Sequence, residues 1–234
     1  MKDVLIYIPQ ETPALRHAGI LLAQGGCALC LEPTEGMTHT LLPVPTKEVP
    51  QLPDSVTVFG GNLPPLPQEA VDLLQDPYYL AENAAITAHC ALGILLGTLK
   101  RSLQGQPVLL LGWGRISKCL APLLKALGAQ VTVAARKTGD RAMITALGFS
   151  AAVFPLENAK SFSCVINTVP APVLEAKDCR QDALLLDLAS KPGILGGSVL
   201  WERGLPGRRM PESAGALIAR TVLRYLNKEE ALCG

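Results

Sequence analysis

The segment that most constrains this chain is Val108-Leu109-Leu110-Leu111, followed without a break by Gly112-Trp113-Gly114-Arg115-Ile116-Ser117. Four consecutive apolar residues read as a strand buried on both faces, the kind found in parallel sheets. A helix follows, because Ile116, Leu120, Leu123, Leu124 and Leu127 form an i, i+4, i+7, i+8, i+11 stripe that Gly128 terminates. Val131-Thr132-Val133-Ala134 is the second strand. A GxGxx[GAS] pattern inside a βαβ unit of this length points to a dinucleotide site. Gly112 permits the tight turn, and Gly114 lets the backbone approach a pyrophosphate whose charge meets the free N–H groups and dipole of the helix. Trp113, Arg115 and Ile116 complete the cofactor-binding turn. Ser117 stands at the usual third glycine, small enough for helix and strand to pack at some cost in fit.

The second strand ends on Ala135-Arg136-Lys137-Thr138, with no carboxylate to bind the ribose hydroxyls of NAD. A guanidinium beside an ammonium suits a 2′-phosphate, with Arg141 adding to the site, so NADP is the expected cofactor. The alternative is an ordinary solvated Arg-Lys pair. Cys164 to Asn167 predicts the fourth strand of this domain and leads into Thr168-Val169-Pro170. Leu184 to Leu188 predicts the fifth, with Asp187 inside it, running into Ala189-Ser190-Lys191-Pro192-Gly193. Ligands of doubly wound sheets sit at the carboxyl ends of the strands, so both loops are expected to face the nicotinamide. Lys191 reads either as a substrate carboxylate ligand or as a surface lysine. Only Ser198 to Gly204 separate Gly197 from Leu205, too few for both a helix and a sixth strand.

Upstream, Val4 to Ile8 predicts a strand, and Ala14 to Gln24 a helix with Thr12 as N-cap and Pro13 in its first turn. Ala28 to Leu31, Thr40 to Leu42 and Val56 to Phe59 read as three more strands of a small, trimmed α/β domain. A long helix beginning near Glu82 follows, apolar nearly all round as for a helix wedged between two domains. Glu82, Asn83, Thr87, His89 and Cys90 fall in one arc of about 160° on it. Either these groups satisfy one another and the neighbouring backbone, or they line an interdomain cleft. The fold class is therefore α/β: a Rossmann-type doubly wound parallel sheet preceded by a small flavodoxin-like domain and joined to it by a long interdomain helix. The expected division is residues 1–80, completed by a final helix at 213–227, then the interdomain helix at 81–100 and the Rossmann domain at 101–212.

Composition removes other classes. Twenty-one basic and 20 acidic residues leave a net charge of +1, with no basic run beyond pairs, which argues against a nucleic-acid or anionic-membrane surface. The first apolar run is too short for a signal peptide, and Ala84 to Leu99 falls short of a membrane span, so a cytoplasmic protein is expected. The 7 cysteines suit small core residues, and Cys27-x-x-Cys30 has no second ligand pair for zinc.

Five segments together are familiar: Tyr79-Leu80-Ala81-Glu82-Asn83, Gly112-Trp113-Gly114-Arg115, Asn167-Thr168-Val169-Pro170, Asp187 to Gly193, and Leu205-Pro206-Gly207 with Ser213-Ala214-Gly215. Through them the chain resembles the dipicolinate synthase family, in its A-type subunit. The resemblance implies oxidation of a dihydrodipicolinate-type ring to dipicolinate with NADP, in the cytoplasm of sporulating bacteria, beside a flavoprotein-like subunit of the B type. A small dicarboxylate substrate and a homo-oligomer are expected. The chain departs from the family in a shorter N-terminal domain, in Ser117, and in His89 where a glutamate is expected. On this footing Lys191 and Arg208 would bind carboxylates, and His89 or Glu82 would take the departing proton. Asn83, Thr87, Asn167 and Thr168 would orient the substrate and the nicotinamide ribose. Two other functions compete: an NADP-dependent dehydrogenase of another small carboxylic acid, and a non-catalytic NADP-binding module or redox sensor.

Overall fold

A computed structural model describes residues 4–154, 156 and 159–233. In chain order, the first elements are β1 (Leu5–Tyr7), α1 (Pro13–Gln24), β2 (Ala28–Cys30), β3 (His39–Leu41), β4 (Thr57–Gly60), β5 (Ala70–Asp72) and α2 (Pro77–Thr98). There follow β6 (Pro107–Leu111), α3 (Arg115–Ala126), β7 (Gln130–Ala135), α4 (Thr138–Ala146), β8 (Ser150–Val153) and β9 (Cys164–Asn167). The last are β10 (Leu174–Glu175), β11 (Leu184–Asp187), β12 (Ile194–Leu195), β13 (Val199–Trp201), α5 (Leu205–Arg209) and α6 (Pro211–Cys233). The chain divides into two compact units, Met1–Ile86 with Pro206–Gly234, and Thr87–Leu205.

The first unit holds a parallel sheet in the order β2-β1-β3-β4-β5, the flavodoxin-like arrangement. Its fifth strand, Ala70–Asp72, carries too few apolar residues in a proline-rich stretch to stand out in the sequence. Helix α1 starts as its sequence dictates, with Pro13 in the first turn and the Leu15 N–H donating to Thr12 Oγ1 at 3.2 Å. Ile6, Leu15, Leu22 and Phe59 form one core with Leu217, Val222 and Leu226 of α6. The two helices approach closely at Gly215, where a Cβ would lie 2.3 Å from the Ala14 carbonyl oxygen.

Helix α2 begins at Pro77, more than a turn before the expected start near Glu82. The reason is a cap invisible to hydrophobic periodicity: the Tyr79 N–H donates to Asp76 Oδ1 at 2.8 Å, with Pro77 in the first helical position. Asp76 is buried, and it also accepts from the Tyr225 hydroxyl at 3.0 Å and from the Arg224 guanidinium. Burial alone would raise its pKa, but Arg224, the Tyr79 N–H and Tyr225 overcome this and hold it below the ordinary 3.8. Further along the same helix pair, Arg220 meets Glu82 at 2.6 Å. With its early start α2 reaches 22 residues, long and apolar enough to cross a membrane by length and composition. Nor is it buried all round: Ala88, Ala91 and Leu95 are buried, whereas His89, Gly93, Leu96 and Gly97 are exposed.

The second unit holds a parallel sheet ordered β13-β11-β9-β6-β7-β8, the doubly wound Rossmann arrangement. The short stretch after Gly197 forms the sixth strand without a helix before it, and Leu185 pairs with Val199 and Asp187 with Trp201. On one face, the buried α3 residues Leu120, Ala121 and Leu124 belong to a helix lying against β6 and β7. On the other, Leu109, Leu111, Val165 and Leu185 pack under Phe162, Cys179 and Ile194, which come from loops and the β10–β12 pair. Cys164 and Cys179 are buried thiols, and burial pushes Cys164 up to about 12.

Gly215→Val is expected to destabilise the protein by about 1–3 kcal/mol in denaturant titration, because the obstacle is helix backbone. Gly93→Ala, where no atom lies within 4 Å of the added carbon, should instead stabilise by up to about 1 kcal/mol. Asp76 has a lowered pKa, so its contribution is complete above the ordinary carboxylate value and disappears as pH falls through the folded one. Asp76→Asn should therefore cost about 1–3 kcal/mol at neutral pH. The gap from the parent should close in strong acid, as followed by urea unfolding at a series of pH values.

Candidate nucleotide site and its flanking loops

Gly112 takes φ +93° as β6 ends, and its N–H donates to the Ala134 carbonyl of β7 at 2.9 Å. A Cβ here would sit 2.7 Å from Val169 Cγ2 and 3.1 Å from Thr168 Oγ1. Glycine is required twice over, by the left-handed backbone and by the loop stacked on the turn. Gly114 is the N-cap of α3, and it offers no side-chain acceptor to the first-turn N–H groups. The first turn contains no acid, and no atom lies within 4 Å of where a Gly114 Cβ would be. In α1 Thr12 performs this capping; in α3 the N–H groups that precede the Lys118 to Gly114 bond lack an intrahelical carbonyl. This open, uncapped, acid-free terminus fits a pyrophosphate.

Ser117 is fully buried, with its Oγ 3.0 Å from Thr168 Oγ1, which in turn donates to the Leu111 carbonyl at 3.0 Å. The serine in the third fingerprint position thus fastens α3 to the loop after β9, a partner that replaces the expected loss of fit. At the end of β7, Arg136 and Lys137 are exposed. Arg141 turns inward, its Nη1 donating to the Ala135 and Arg136 carbonyls at 2.9 and 2.6 Å and its Nη2 to Thr138 Oγ1 at 3.1 Å. It braces the turn that presents the other two cations. Asp140, in the first turn of α4, is the nearest acid in the sequence.

The loops after β9 and β11 are organised by a pair of residues that face each other in register, Asn167 and Asp187, both fully buried. Asn167 Nδ2 donates to Asp187 Oδ1 and to the Val169 carbonyl, each at 2.9 Å, and its Oδ1 accepts from the Val169 N–H at 3.0 Å. Asp187 also accepts from the N–H groups of Ala189 at 3.0 Å, Gly193 at 2.7 Å and Ile194 at 3.0 Å. Gly193 lies so close that a Cβ would be 2.3 Å from Asn167 Nδ2. From the edge strand, Trp201 Nε1 donates to the Ala189 carbonyl at 2.9 Å. Ser190, Lys191 and Pro192 are left exposed at the tip of a loop whose two ends are pinned.

The second unit therefore gathers Gly112 to Ile116, Arg136, Lys137, Arg141, Asn167 to Pro170 and Lys191 at the carboxyl ends of its strands. The amide of Asn167 is engaged within the protein, so the residue shapes the loop. Thr87 is buried and His89 exposed on α2 within the same unit, whereas Glu82, Asn83 and Arg208 belong to the first unit. Among the described residues no group of three or more His, Cys, Asp or Glu is placed to hold a metal. Sequence reasoning misses the organising role of Asp187, although a charge closing the apolar run Leu184-Leu185-Leu186 is a readable sign of a buried, multiply bonded carboxylate.

No family model matches the chain. A curated relative, the A-type subunit of dipicolinate synthase from Bacillus subtilis (strain 168), is 30% identical over 176 residues, 65% of this chain and 58% of the relative. The chain thus spans less than two thirds of that relative's length. The crystal structure of the same subunit from Bacillus halodurans is similar at TM-score 0.83 and 21% identity, over 96% of this chain and 98% of that one. Its counterpart from Bacillus subtilis gives TM-score 0.83 and 21% identity, over 99% and 98%. D-lactate dehydrogenase from Escherichia coli shares the fold more distantly, at TM-score 0.64 and 12% identity over 97% of both chains. The resemblance to the dipicolinate synthase family, in its A-type subunit, is borne out in sequence and in fold.

Asp187→Ala should destabilise the protein by about 3 kcal/mol, since it leaves several buried donors without an acceptor. Hydrogen exchange should show the Gly193 and Ile194 amides losing their protection while β6 and β7 keep theirs.

Proposed function

We propose, from this kinship with dipicolinate synthase, that the chain is an NADP-dependent oxidoreductase that converts a dihydrodipicolinate-type ring to dipicolinate. The observation that carries the reading is the uncapped start of α3 behind Gly112 and Gly114, with Thr168 and Val169 stacked on the turn. Backbone N–H groups of Arg115 and Ile116 would hold the pyrophosphate. Arg136 and Lys137 would hold a 2′-phosphate, at a strand end that carries no acid to favour NAD. When bound, the nicotinamide supplies the acceptor for a hydride.

Aromatisation removes a hydride from one ring carbon and a proton from the ring. Lys191, on its pinned loop, and Arg208 would bind the two carboxylates, with Asn83 and Thr87 orienting the ring. His89 is the favoured base over Glu82, whose carboxylate is already engaged by Arg220. A cytoplasmic location, a homo-oligomer and action beside a flavoprotein-like subunit of the B type belong to the same proposal.

The direct test is an anaerobic assay with NADP and freshly generated dihydrodipicolinate, with and without the flavoprotein-like partner, following NADPH and dipicolinate together. Stoichiometric appearance of both is expected. NADPH binding without turnover would shift the reading to another carboxylic acid or to a non-catalytic nucleotide-binding module. Arg136→Ala and Lys137→Ala should each weaken NADPH binding about tenfold and leave NADH nearly unchanged; equal losses for both nucleotides would refute the NADP assignment. His89→Gln should lower turnover by about 10²-fold or more while NADPH binding is retained.

A further inference from the structure

On the flank of the second unit, between α3 and α4, lies a cavity of about 640 Å³, a size suited to a small ligand. Trp113 and Phe149 form an aromatic pair in its lining, with ring centroids 6.3 Å apart and planes tilted by 60°. Pro122 of α3 and Met143 and Leu147 of α4 add apolar surface, and the last two are 55% and 53% exposed. Two cations complete the lining. Lys118 Nζ stands 6.0 Å from the Trp113 ring centroid, and Lys125 Nζ 5.1 Å from that of Phe149. Lys125 is held in place by donating to the Gly148 carbonyl at 2.8 Å, beside a glycine at φ +78°. No carboxylate lines the cavity among the described residues.

Exposed Met and Leu side chains beside an aromatic pair favour an apolar body that removes them from water. Two ammonium groups over that surface, with no acid to neutralise them, favour a negative charge on the same molecule. We propose that this cavity binds a small organic anion with an aromatic or branched apolar body, its ring against Trp113 and Phe149 and its charged group at Lys118 and Lys125. The proposal does not depend on the nucleotide reading: Trp113 comes from the glycine turn, but the rest of the lining comes from the sides of α3 and α4 and the residues just after α4, and none of it from the backbone donors at the start of α3.

The test uses 2-naphthoate as probe and 2-naphthamide as its neutral counterpart, with calorimetry for affinity and the Trp113 and Trp201 indole N–H resonances for location. Saturable binding of 2-naphthoate with Kd below about 1 mM is expected, shifting the Trp113 resonance and leaving that of Trp201 in place. The amide should bind at least tenfold more weakly, as should 2-naphthoate to Lys118→Gln and to Leu147→Glu. Both variants should bind NADPH as the parent does, which separates this result from any failure at the nucleotide site. Non-saturable binding, unchanged affinity in Leu147→Glu, or displacement of 2-naphthoate by NADPH would overturn the proposal. So would conversion of an oligomer to a monomer by Leu147→Glu, which would assign the face to contact between copies.

Discussion

A carboxylate removed from water is tolerable only when its lone pairs are taken up, and the second unit is arranged around meeting that requirement at Asp187. The side chain closes strand β11 beside the end of β9, and its acceptors gather Asn167, Ala189, Gly193 and Ile194. Because those partners lie at the end of β9 and along the segment after β11, one buried group ties the two strand ends together. Gly193 follows from the same geometry, since the donors converge so tightly that no side chain fits there. The loop after β9, shaped by Asn167, bears down on Gly112 and is fastened to α3 through Thr168 and Ser117. The glycine turn and the loops after β9 and β11 are thus one connected assembly.

The first unit has its own polar anchor. Asp76 caps α2 while accepting from Arg224 and Tyr225 of α6, and Arg220 meets Glu82 further along. Residues four apart on α6 lie on one face, so its two arginines can serve two acids on one helix. These contacts give Glu82 a structural partner on α6.

Much of this is legible in the sequence because it rests on local chemistry. The βαβ unit around Gly112, the Thr12 cap and the order of strands β6, β7, β9 and β11 are all written in apolar periodicity and turn residues. What escapes rests on contacts between residues distant in sequence. The true start of α2 depends on a buried aspartate with partners nearly 150 positions away. Ser117 reads as a weakened glycine until Thr168 is brought beside it. The sixth strand is discounted for lack of room only if a helix is assumed to precede it.

The return of α6 to the first unit bears on the order in which the protein is made. Leu217, Val222 and Leu226 fill the core against Ile6, Leu15 and Phe59, and Gly215 seats them against the backbone of α1. Strands β1 to β5 emerge from the ribosome long before these residues exist, so they wait with one apolar face uncovered. The second unit is continuous in sequence and is complete before α6 is translated. Synthesis from the N-terminus therefore lets the later unit complete its core first, while the early strands keep an apolar face open until α6 arrives.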